Sequence, residues 1–211
     1  MPFDIPRITR ALLIANIGIY LLQMLTGGDA LIVNFALWPV GPSPYGNVPG
    51  FELWQLVTYG FLHGGFTHIA FNMFALWMFG GAIEQVLGER PFLIYYFTCV
   101  IGAALAQLAV VHWFTGGFYP TLGASGGVFG LLLAFGMMFP HQRMMLLFPP
   151  IPMPAWVFVT GYGVIELFLG VTRTQAGVAH FAHLGGMAIG FLLIEYWRGK
   201  LPFKPRRRLM R

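Results

Sequence analysis

Residues 91–142 read PFLIYYFTCVIGAALAQLAVVHWFTGGFYPTLGASGGVFGLLLAFGMMFPHQ, 52 positions without an Asp, Glu, Lys or Arg. A helix that crosses a bilayer needs roughly 20 largely apolar residues, so this stretch is too long for one crossing and suits two. The two part at Thr115-Gly116-Gly117-Phe118-Tyr119-Pro120, a cluster of turn formers. Outward from it lie shorter uncharged gaps: Arg10 to Asp29, Glu52 to Glu84, Arg143 to Glu166 and Arg173 to Glu195. The pattern predicts six transmembrane helices near residues 8–26, 66–87, 91–114, 122–138, 151–170 and 178–197. Only 9% of the residues are charged and 57% are hydrophobic, whereas a soluble domain carries about 25% charged residues. The apolar segments are continuous and do not alternate with period two, which argues against a transmembrane β-barrel. The fold class expected is an all-α integral membrane protein, a single six-helix membrane domain over 1–211.

The net charge of +5 raises the question of nucleic acid, but its placement argues for a membrane. With a cytoplasmic N-terminus, Arg7, Arg10, Arg90, Arg143, Arg198, Lys200, Lys204, Arg206, Arg207, Arg208 and Arg211 all face the cytoplasm, and only Arg173 lies outside. That is the positive-inside pattern. The basic tail, about 198–211, reads as a topology anchor touching anionic lipid; it lacks the interleaved aromatics of a nucleic-acid site. The location expected is a cell membrane, a bacterial inner membrane, with both termini cytoplasmic. Cys99 is the single cysteine, so no intrachain disulfide is expected. The first apolar run is long and no small-x-small site follows it, which favours a retained helix over a cleaved signal peptide. A long outer loop, about 27–52, carries Phe35, Leu37, Trp38 and Phe51; it is expected to lie partly in the membrane interface, a depth that suits Trp38 and Trp54. Phe148-Pro149-Pro150-Ile151-Pro152 is expected to stop one helix and start the next.

Polar groups inside a bilayer are costly and mark function. Here they gather in three helices. The fourth opens with Gly123-Ala124-Ser125-Gly126. A serine in a first helical turn sits beside N–H groups without intrahelical partners, at the positive end of the helix dipole. It can attack a carbonyl while those N–H groups hold the oxyanion, and glycines beside it let a peptide backbone approach. The plainer reading is a helix-cap serine or a small residue at a helix contact. The sixth helix carries His180-Phe181-Ala182-His183, followed by Gly186 and Gly190 on the face of His183. Ser125 is followed by Gly126 and Gly130, and two glycine faces allow close helix approach. His183 is then the base that a serine hydroxyl needs. No membrane-embedded carboxylate is obviously placed to orient it, so a dyad is expected and not a triad. His180, nearer the outside, is expected to line the cavity mouth or bond an outer-loop carbonyl. In the second helix His68 and Asn72 share a face at i and i+4. Both can donate hydrogen bonds to an oxyanion beside the Ser125 N–H, or serve as interhelical polar glue.

Taken together, these residues resemble the rhomboid family of intramembrane serine proteases. The likeness runs from about Trp54 to Gly190 and rests on three motifs in order: His-x-x-x-Asn (His68, Asn72), Gly-x-Ser-Gly (Gly123, Ser125, Gly126) and Ala-His-x-x-Gly-x-x-x-Gly (Ala182, His183, Gly186, Gly190). The resemblance implies a six-helix bundle with a water-filled cavity open to the outside. It implies endoproteolysis of single-pass membrane proteins, with Ser125 as nucleophile, His183 as general base, His68 and Asn72 as oxyanion donors, and no cofactor. Two positions depart from the family pattern. Trp54-Gln55 stands where Trp-Arg is usual, which bears on anchoring of the first outer loop, and Phe129 replaces a tyrosine that packs on the catalytic histidine.

Other readings compete. His63 with His68, and His180 with His183, resemble the histidine boxes of membrane di-iron enzymes. No carboxylates cluster with them, which makes a poor di-iron site, and the His-Glu-x-x-His of a zinc protease is absent; no metal is expected. A rhomboid-like binding or quality-control protein without activity is the other alternative, against which intact Ser125 and His183 argue. Glu166, in the fifth helix a few residues before Arg173, is left without a role.

Overall fold

A computed structural model describes residues 5–44, 46, 50–145, 150–172, 178–203 and 205. Six helices dominate it: α1 (Arg7–Thr26), α4 (Phe66–Leu87), α5 (Glu89–Thr115), α6 (Ser125–Met138), α7 (Ala155–Thr172) and α8 (His180–Trp197). Two short helices, α2 (Asp29–Phe35) and α3 (Gln55–Thr58), lie in the segment between α1 and α4. The six predicted spans each coincide with one of the six long helices within a few residues. α1, α4, α5 and α7 are long and apolar enough to cross a bilayer on that basis alone, and α6 is a shorter apolar helix. The chain is a multi-pass helical membrane protein. Its outer surface fits, since Leu21 and Leu25 of α1, Phe71 and Trp77 of α4, and Val164 and Phe168 of α7 are all exposed. Water would not tolerate so broad an apolar surface; lipid does.

α8 is the axis of the bundle, packed most extensively against α5 and α6. Small residues allow this. A Cβ added at Gly186 would strike the Gly126 carbonyl oxygen, so α6 and α8 touch backbone to backbone there. A Cβ at Gly130 would meet Cys99 of α5 and, at 3.4 Å, the Gly186 carbonyl oxygen of α8, whereas one at Gly190 would meet only Tyr95 and Cys99 of α5 among its nearest atoms. The glycine rows therefore make a three-helix seam and not a simple α6–α8 contact. A buried hydroxyl bridges it, Tyr95 of α5 donating to the Gly130 carbonyl at 2.7 Å, and Tyr59, between α3 and α4, donates to the Val100 carbonyl of α5 at 2.7 Å. Each satisfies a group that lipid cannot.

The N-terminus of α1 is capped by a residue of another helix. Glu84 of α4 accepts from the Ile8 N–H (2.8 Å), the Thr9 N–H (2.7 Å) and the Thr9 hydroxyl (2.7 Å). The two N–H groups belong to a first helical turn, without intrahelical partners, and the buried carboxylate also faces the positive end of the dipole.

The architecture is all-α apart from one short ribbon in which β1 (Arg143–Met145) pairs antiparallel with β2 (Pro152–Pro154), and two narrower expectations need correction. The fifth helix accordingly begins at Ala155 and not near 151, because Pro152 and Pro154 are extended and lack the N–H a helix interior needs. Trp38 does not turn its side chain to lipid; it is 6% exposed and stacks on Phe118 with ring centroids 5.4 Å apart. Arg173, Lys204, Arg206, Arg207, Arg208 and Arg211, which carry much of the charge asymmetry, lie outside the described residues, as do Phe148 and Pro149.

Candidate active site

The approach to α6 is built first. Leu37 and Thr121 exchange backbone hydrogen bonds at 2.9 Å each way, tying the outer segment to the strand-like run before Ser125. Gly123 follows at φ +129°, a conformation that side-chain-bearing residues rarely adopt, and its N–H donates to the Tyr59 carbonyl at 2.9 Å. A Cβ there would collide with the His68 ring and come within 3.7 Å of the Ser125 hydroxyl. Glycine at 123 thus lets His68 of α4 lie beside the serine. Ser125 is the first residue of α6.

From the other side α8 delivers His183. Its Nε2 lies 2.8 Å from Ser125 Oγ. Its ring lies flat on Phe129, with centroids 4.2 Å apart and planes 5° from parallel, so phenylalanine supplies the stacking surface without a hydroxyl. The His183 Nδ1 lies 2.9 Å from Glu166 Oε2, and the His180 Nδ1 lies 2.7 Å from the same oxygen. A membrane-embedded carboxylate is therefore in contact with the histidine, contrary to expectation. His180 is 4% exposed and bonded to Glu166, not placed at a cavity mouth or on a loop carbonyl. Sequence reasoning missed both relations because α7 and α8 meet only through tertiary packing. The available signal was a lone carboxylate in α7 opposite two histidines spaced i, i+3.

His68 accepts at Nδ1 from the Gly64 N–H at 3.3 Å, which leaves Nε2 toward Gly123. Asn72 donates one amide hydrogen to the His68 carbonyl at 2.9 Å, a bond within its own helix. An amide NH₂ has two donors, so one remains. The two histidine pairs differ in kind: the His63 and His68 rings meet at 5.1 Å with no carboxylate between them, whereas Glu166 joins His180 to His183. Glu166, His180 and His183 also lie close enough together to chelate a metal ion, although both Nδ1 atoms already face the carboxylate oxygen.

Gln55 resolves the Trp-Gln departure. It is fully buried, and its Oε1 accepts from the Trp38 N–H (3.1 Å) and the Glu52 N–H (3.3 Å). The loop is further held by Trp54 Nε1 on the Asn34 carbonyl and the Thr58 hydroxyl on the Phe35 carbonyl. Glutamine keeps the loop anchored where arginine is usual.

What these helices and this site define is a polytopic membrane protein with its polar side chains converging on one serine. The Rhomboid domain model matches residues 50–199, and the chain belongs to the rhomboid family. Among its relatives are mitochondrial Rhomboid protein 1 of Saccharomyces cerevisiae, 33% identical over 74% of this chain, Rhomboid protease GlpG of Yersinia pestis, 28% identical over 90%, and Rhomboid protease GluP of Bacillus subtilis, 31% identical over 66%. This chain spans 45%, 62% and 25% of the lengths of those three proteins.

Proposed function

We propose that this rhomboid is an intramembrane serine endopeptidase that cuts transmembrane segments of single-pass proteins. The observation that carries the reading is the 2.8 Å contact between Ser125 Oγ and His183 Nε2, within the range a general base requires. Ser125 Oγ gives its proton to His183 and attacks the scissile carbonyl. The tetrahedral oxyanion is held by the Ser125 N–H, the His68 ring and the Asn72 amide. Collapse to an acyl-enzyme returns the proton from His183 to the leaving amine, and water then releases the acyl group by the same route reversed. No cofactor takes part.

Depth supports the substrate class. The 14 residues of α6 reach about 21 Å at 1.5 Å per residue, less than the roughly 30 Å hydrocarbon core. With its C-terminal end at the cytoplasmic face, α6 begins below the outer face and places Ser125 within the membrane. The charge asymmetry of the sequence supports cytoplasmic termini, and the location proposed is a bacterial inner membrane. The test is incubation of purified protein with a single-pass substrate beside Ser125→Ala. Cleavage by the first alone supports the reading; equal behaviour of the two marks a rhomboid without proteolytic activity.

A further inference from the structure

We propose that Glu166 is a positioning residue for the reaction: its carboxylate, shared with His180, selects the ring orientation and tautomer in which His183 accepts the Ser125 proton. The inference rests on the protease reading and deepens it. Phe129 fixes the plane of the His183 ring by stacking, but a ring turned by half a revolution about its Cβ–Cγ bond keeps that plane and stacks equally well. Turned so, it would present carbon atoms to both Ser125 and Glu166. The contact of Nδ1 with Glu166 Oε2 at 2.9 Å distinguishes the two orientations.

The tautomer follows from the inventory of donors. An ionised carboxylate only accepts, so each Nδ1 facing Oε2 carries its hydrogen. A neutral imidazole has one N–H; with it on Nδ1, the His183 Nε2 is a lone pair aimed at the serine hydroxyl. When that proton transfers, the imidazolium lies against the Glu166 carboxylate and its charge is paired inside a buried site. His180 donates to the same oxygen at 2.7 Å and holds the carboxylate in place; its own Nε2 is buried with no hydrogen-bond partner. That bare nitrogen is unfavourable, and the Glu166 contact accompanies it.

The simpler view makes Glu166 a staple between α7 and α8, and four measurements separate the two. Steady-state cleavage of a transmembrane substrate is followed for the wild type, Glu166→Gln and Glu166→Asp, each reconstituted in lipid. Glu166→Gln should lower kcat about 10²–10⁴-fold, the scale seen when a serine protease loses the carboxylate behind its histidine, with KM little changed. Glu166→Asp, which keeps the charge on a shorter arm, should recover part of that loss. Nitrogen-15 spectra of the His183 ring in the Ser125→Ala background should move from the Nδ1–H toward the Nε2–H form on Glu166→Gln. That reading needs no activity, so it stands apart from failure of the protease assignment. Removal of metal with EDTA should leave cleavage unchanged. The proposal is overturned if Glu166→Gln keeps wild-type kcat, or if its spectrum keeps the Nδ1–H form. It is equally overturned if activity falls only with the fraction of folded protein, if both variants fail to fold, or if EDTA abolishes cleavage and zinc restores it.

Discussion

Ser125 and His183 meet at 2.8 Å and are expected to act as one unit. His183→Ala should be as inactive as Ser125→Ala, and the double variant no worse, because each change removes the same proton transfer. Turnover of a fluorogenic transmembrane substrate reads this directly; additive losses would show that the pair is not the reacting unit. His180→Ala should retain more activity than His183→Ala, since His180 reaches the serine only through Glu166. A dead His180→Ala beside a working His183→Ala would reverse the assignment of the base. Asn72 has one amide hydrogen on the His68 carbonyl and one to spare. An oxyanion donor acts only when charge develops, so Asn72→Ala should lower kcat by about 10²–10³-fold and leave KM nearly alone. A change confined to KM would assign Asn72 to substrate or helix contacts.

At the scale of elements, two contacts hold pieces that propensity alone would leave loose. Glu84 accepts three hydrogen bonds from the first turn of α1. Glu84→Leu would strand those donors, at a cost of about 1–3 kcal/mol for each group that stays buried and unpaired. Thermal unfolding in detergent should show a marked fall in Tm for this variant, and an unchanged Tm would mean that water reaches the α1 terminus. Gly186 allows no side chain against the Gly126 carbonyl. A methyl there must push α6 from α8, a backbone shift costing roughly 1–3 kcal/mol. Gly186→Ala should therefore weaken both stability and the Ser125–His183 contact, and Tm and cleavage rate should fall together.

The whole molecule is governed by its placement in the membrane. The basic residues of the sequence sort to one side under the six-span reading, so single cysteines introduced into residues 139–150 should be labelled only from the cytoplasmic side, and those in 27–52 from outside. Labelling of 139–150 from outside would invert the topology.

How much of this was legible in the chain depends on the range of the physics involved. Bilayer thickness acts on contiguous sequence, so the charge-free gaps marked the six long helices closely. Ser125, His183, His68 and Asn72 stood out because a polar side chain in an apolar run is conspicuous without knowledge of its neighbours, and the structure gathers Ser125, His183 and His68 around Gly123. Relations between helices were not legible, because they depend on rotation and depth that hydropathy leaves free. Glu166 read as a stray carboxylate until α7 and α8 met, and Gly190 turned out to face Tyr95 and Cys99 of α5. Gln55 read as a lost arginine until the outer segment closed over it, with the Trp38 N–H on its carbonyl. Local composition determined where the chain enters and leaves the membrane and which residues are chemically out of place there. Only the tertiary structure decided which of them touch, since a hydrogen bond near 3 Å depends on how whole helices pack.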